Sequence, residues 1–227
     1  MNSQRINVFN NIHKGLRTLM FDTAILAQQT DYGDVTQAAT VLDQVELLLS
    51  MFNAHAYHED FCILYEVGKY DPELIKEFEE EHETDFQLSA QLKNQIKNYK
   101  ATTSPEAKSI IGYQLLYSLN NFIAFNLNHM NREEQELNKA LWHYFTDKEI
   151  LQMEHKIQSL LDPDKRLIYF KWMVKGMNNT ELVKWLLTIK YSAPEIVLNG
   201  LLQECRVNLS SQRWGIIQSV VSEGSVI

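Results

Sequence analysis

Through the first 140 residues, apolar side chains recur at steps of three and four, and only three short breaks interrupt them. Positions so spaced share one face of a helix, so the pattern predicts amphipathic helices and leaves little room for strands, which alternate in steps of two. With only 8 Gly and 4 Pro in 227 residues, each break is legible. TDYGD (30–34) offers Asp34 as a helix N-cap with Gln37 three residues on. KYDPE (69–73) and ATTSPEA (101–107) each place a capping residue, Asp71 or Ser104, directly before a proline at the first helical position. The breaks predict four helices over about 3–30, 35–68, 72–99 and 105–140. Long helices joined by short loops pack antiparallel, so the expected fold is all-α, an up-down-up-down four-helix bundle.

After Phe145 the helices shorten. Thr146 with Glu149, Asp162 with Pro163, Asn178 with Glu181, Ser192 with Glu195, and Ser210 mark the starts of pieces of about 10–15 residues. Helices of that length are marginal alone in water and must pack. The expected division is a bundle over 1–144 and a C-terminal helical extension over 145–227, packed on the bundle or used for interaction. Tryptophan-bearing stretches FKWMVKGM (170–177), LVKWLL (182–187) and SQRWGII (211–217) supply its apolar contacts.

Four of the seven histidines fall one per long helix, at His13, His55, His82 and His129. Two of them precede a glutamate by four residues, in His55-Ala-Tyr-His-Glu59 and His129-Met-Asn-Arg-Glu133. That spacing puts both side chains on one helix face, a turn apart. Counted from the breaks, the four histidines reach similar depths in an up-down bundle. A single core histidine is usually a packing residue. Two His-x3-Glu pairs, with a histidine on each remaining helix, point instead to a metal site. Imidazole suits iron, zinc and copper, and two carboxylates can bridge two cations.

These segments resemble the hemerythrin-like, cation-binding HHE family in NIHKGLR (11–17), FNAHAYHEDFCIL (52–64), EEEHETD (79–85) and FNLNHMNREEQEL (125–137). The resemblance covers about residues 5–140. It implies two non-haem irons, with Glu59 and Glu133 bridging, His13 and His55 on one iron, and His82 and His129 on the other. Oxygen-carrying hemerythrins have a second histidine in the third helix, four residues from the first; here those positions hold Phe78 and Phe86. The glutamate at plus four of the fourth helix follows the bacterial regulator-like members. One iron is therefore expected to keep an open position, with Glu79 as a neighbouring carboxylate. The implied function is to sense or handle a small diatomic ligand (dioxygen or nitric oxide) or iron. The alternatives are an enzyme reducing peroxide or repairing iron-sulfur centres, and a structural helical protein with zinc or no metal. Tyr57 and Tyr65 are expected in the core, and His143 and His155 outside the site.

A net charge of -8 without a Lys/Arg run argues against nucleic acid or an anionic membrane as partner. No run of eighteen apolar residues and no signal-peptide pattern occurs, and the two cysteines, Cys62 and Cys205, match no redox motif. A cytoplasmic protein is expected.

Overall fold

The computed structural model describes residues 5–223. Among them are nine helices and no strand. Helix α1 is Asn10–Gln29. Helix α2 is Val35–Glu59, continued by a π-helical turn at Asp60–Leu64 and a last turn at Tyr65–Val67. Helix α3 is Pro72–Ala101. Helix α4 is Pro105–Arg132, continued by a π-helical turn at Glu133–Leu137 and by Asn138–Tyr144. The shorter helices are α5 (Asp147–Leu160), α6 (Pro163–Gly176), α7 (Asn179–Ser192), α8 (Glu195–Asn208) and α9 (Ser211–Glu223).

The expected caps form. The Asp34 carboxylate accepts from the amides of Thr36 and Gln37, Asp71 from Leu74, and Ser104 from Ala107. Thr146 and Glu149 bond reciprocally, as do Asn178 and Glu181. Two starts differ from expectation. Ser192 ends α7, donating to the Thr188 carbonyl, and Pro194 occupies the cap of α8. The first helix starts at Asn10, not near residue 3, because residues 5–9 are non-helical and tied to other parts of the chain. Arg5 donates to Asp147 and to the Trp142 and Phe145 carbonyls, and the Trp142 indole donates to the Ile6 carbonyl. The start expected at residues 3 and 4 lies outside the described residues.

Two compact units form. The first contains residues up to 9 with 19–160; the second contains 10–18 with the chain from 161 onward. Helix α5 groups with the long helices because Ile150 and Met153 share a buried cluster with Cys62, Ile63, Leu64, Leu137 and Leu141.

In the first unit, α2, α3 and α4 turn regular stripes inward. That of α3 runs Ile75, Phe78, His82, Asp85, Ser89, Leu92, Ile96, Tyr99, in steps of three and four. Phe52 and Phe122 meet edge to face, centroids 5.3 Å apart. At the loop end, the Tyr99 hydroxyl donates to the Tyr32 carbonyl, 2.6 Å, and the Tyr32 ring lies against the bare backbone of Gly112.

The second unit has its own core, with Leu182, Val183, Leu186, Leu201, Cys205 and Ile217 buried and Ile12 packed against them. Trp172 is buried, and Trp185 and Trp214 are partly buried against this same cluster. Lys14 pairs with Glu181 at 2.5 Å, and Gly176 allows close approach, since a Cβ there would stand 2.4 Å from the Lys14 carbonyl oxygen.

Candidate metal centre

The apolar stripes that fill the first unit carry the polar residues inward with them. On α2 the inner face runs Val45, Leu48, Phe52, then His55 and Glu59; on α4 it runs Leu115, Leu119, Phe122, Asn126, then His129 and Glu133. Glu59, His82, His129 and Glu133 are each at most 9% exposed. Both glutamates sit where the helix changes pitch, Glu59 just before one π-helical turn and Glu133 as the first residue of the other. Such a turn fits an extra residue into the helix and re-aims the neighbouring side chains, and π turns recur at functional sites.

His55 Nε2 stands 3.1 Å from Glu59 Oε1, and His129 Nε2 3.2 Å from Glu133 Oε1. His82 Nε2 lies 3.9 Å from Glu59 Oε2 and 3.9 Å from Glu133 Oε1. Glu59, His82, His129 and Glu133 each present an atom within 4.8 Å of the others, and so do His55, Glu59 and Glu133. His13 is fully buried on α1, among the residues that group with the second unit.

The opposite nitrogens are engaged. His82 Nδ1 is 2.6 Å from Asp60 Oδ1, and His129 Nδ1 is 2.6 Å from Glu81 Oε2. Arg132 in turn donates to Glu81, Glu77 and Glu136. These links leave Nε2 of each ring facing the two glutamates.

Electrostatics make the grouping costly without a cation. Burial, then the neighbouring Glu133, pushes the Glu59 carboxyl well above the usual carboxylate range. Burial works to lower the His129 imidazole, but Glu133 and Glu81 outweigh it and hold it up at about 10. His82 Nε2 is buried with no hydrogen-bond partner among the described residues. A positive ion between paired carboxylates and imidazole nitrogens relieves all three strains, so the donor set fits a metal and is able to hold one.

A family model, the hemerythrin HHE cation binding domain, matches residues 4–141, more than half of the chain. The chain belongs to the hemerythrin HHE cation-binding domain family. No curated protein and no solved structure matches it.

Several neighbours of this HHE centre differ from expectation. Glu79 is exposed, so it does not flank the site. The carboxyl beside the centre is Asp85, 4% exposed, which lines a small cavity with His55, Glu59, His82 and His129 and accepts from Asn126 Nδ2 at 2.6 Å. Asp85 follows His82 by three residues, on the same helical face, and that spacing was the available signal. Tyr57 and Tyr65 are 61% and 64% exposed, not core. With Phe61 they occupy an outward stripe at steps of four, while 55, 58, 59 and 62 turn inward. His58 is buried on α2, whereas His143 and His155 are exposed. Phe78 is fully buried and packs edge to face on His129 at 6.0 Å, and Phe86 is exposed.

Proposed function

We propose that this chain is a non-haem di-iron protein that senses or handles a small ligand, dioxygen or nitric oxide, or iron itself. His13, His55, Glu59, His82, His129 and Glu133 are the proposed protein ligands. The observation that carries this reading is the convergence of two buried carboxyls and their imidazole partners within 4.8 Å. His13 joins them on its sequence context, NIHKGLR, and its depth along the first helix.

Bound iron would supply a redox-active Lewis acid able to take a small molecule at an open position. The protein's own side chains would supply the rest. Glu59 and Glu133 would offset cation charge, while His55, His82 and His129 would each turn Nε2 toward it. Phe52 and Met130 close the small cavity and limit water. Phe78 fills a position where a further imidazole would sit, which favours an incompletely ligated iron. No helix of the described residues is long and apolar enough to cross a membrane. Two free cysteines support a reducing, cytoplasmic setting.

Metal analysis of freshly purified protein, with its near-ultraviolet and visible spectrum before and after azide, tests the proposal. About two irons per chain and an azide-sensitive absorption are expected. Zinc, or no metal, with a featureless spectrum would leave a structural helical protein. Rapid turnover of peroxide would shift the assignment to an enzyme.

A further inference from the structure

We propose that Glu81, clamped by Arg132, is a positioning residue that fixes His129 for the cation, and that Asp60 serves His82 in the same way but less firmly. The inference rests on the metal-centre reading above. An imidazole offers a metal one nitrogen, and the hydrogen bond made by the other decides which nitrogen is free and how the ring is turned.

For His129 that bond is Nδ1–H to Glu81 Oε2, 2.6 Å, while Nε2 faces Glu133. The second Glu81 oxygen accepts from Arg132 Nη1. The guanidinium also reaches Glu77 at 2.6 Å and Glu136 at 2.8 Å, and it lies over the Phe78 ring, 5.1 Å from the centroid. Glu81 is thus gripped through both oxygens. One turn of α4 carries the imidazole, its carboxylate neighbour and the arginine that secures the acceptor on α3.

The His82 side is built differently. Asp60 accepts from Nδ1 at 2.6 Å, but its side chain is 49% exposed and no cation pairs with it among the described residues. The centre is therefore held stiffly at His129 and loosely at His82.

The test uses the full chain loaded with iron. Glu81→Ala, Glu81→Gln, Arg132→Leu and Asp60→Ala are compared for iron retention against graded chelator, for the visible spectrum, and for the urea midpoint of metal-free protein. Glu81→Ala is expected to weaken iron binding roughly 10–100-fold. Glu81→Gln, which keeps an acceptor, should recover most of that loss. Arg132→Leu should fall between them, and Asp60→Ala should cost less than Glu81→Ala. Wild-type iron affinity and spectrum in Glu81→Ala would overturn the inference alone. So would losses in Glu81→Ala and Glu81→Gln that merely follow their metal-free stability. Wild-type protein that takes up no iron would overturn the metal-centre reading and this inference together.

Discussion

Two carboxyls buried face to face demand either a proton or a cation, and the choice sets what each side chain around them is worth. With metal bound, removal of a ligand leaves the remaining charges uncompensated, so the loss should be nearly all-or-none. His129→Ala and Glu133→Ala are expected to purify with little or no metal. His143→Ala and His155→Ala alter exposed rings and should keep the wild-type content. Elemental analysis of the four proteins decides the matter, and equal content across them would remove His129 and Glu133 from the centre. The cysteines allow a separate check on burial. Both are fully buried, and burial raises each thiol, Cys205 to about 12. Neither should react with a disulfide reagent at pH 8 in the folded protein, and both should react in denaturant; prompt labelling of the native chain would contradict the packing described. The residues facing the centre along their own helix were legible in the sequence, because helical pitch alone puts Glu59 with His55 and Glu133 with His129. The cross-helix partners were not. Glu77, Glu79, Glu80, Glu81 and Glu83 are alike on paper, and only the packing of α3 on α4 selects Glu81.

At the level of elements, the turns carry the clearest signals. Asp34, Asp71 and Ser104 act through local geometry, so their roles survive any tertiary arrangement. The π-helical turns have no comparable signature, since pitch answers to what the side chains must reach. The link between α1 and α2 shows how tertiary packing adds to local geometry. A Cβ on Gly112 would stand 2.0 Å from Cγ of Tyr32, so Gly112→Ala must push that ring off its seat. A cost of about 1–3 kcal/mol is expected in urea unfolding, and an unchanged midpoint would show that the loop gives way freely. The same ring makes a pH prediction. Burial, then the nearby Tyr99, lifts the Tyr32 phenol from 10.0 to about 12. A raised folded value means the group binds its proton more tightly folded than unfolded. Its contribution is complete below pH 10 and disappears as the pH climbs to about 12. Wild-type stability should therefore fall more steeply over that interval than that of Tyr32→Phe; parallel curves would refute the shift.

For the molecule as a whole, the sequence made the change from long to short helices obvious and its structural meaning obscure. The capping box at Thr146 announces a new helix, but caps say nothing about which core a helix joins. That is settled by apolar contact. Ile150 is fully buried and Met153 nearly so, in the cluster formed by the last turns of α2 and α4, while α6 to α9 bury Leu182, Leu186, Leu201 and Ile217 among themselves. If α5 belongs with the long helices, a cavity at Ile150 should be felt there. Ile150→Ala in the full chain is expected to cost about 2–5 kcal/mol. Its hydrogen exchange should quicken in peptides covering 60–67 and 137–144, which pack on that side chain, before it quickens in peptides from 179–208. Faster exchange confined to residues beyond 161 would place α5 with the second unit and move the division back toward the change in helix length. Because Glu59 and Glu133 sit within about one turn of the segments that Ile150 supports, the same variant should release iron to chelator more readily than Leu186→Ala, whose cavity opens in the other core.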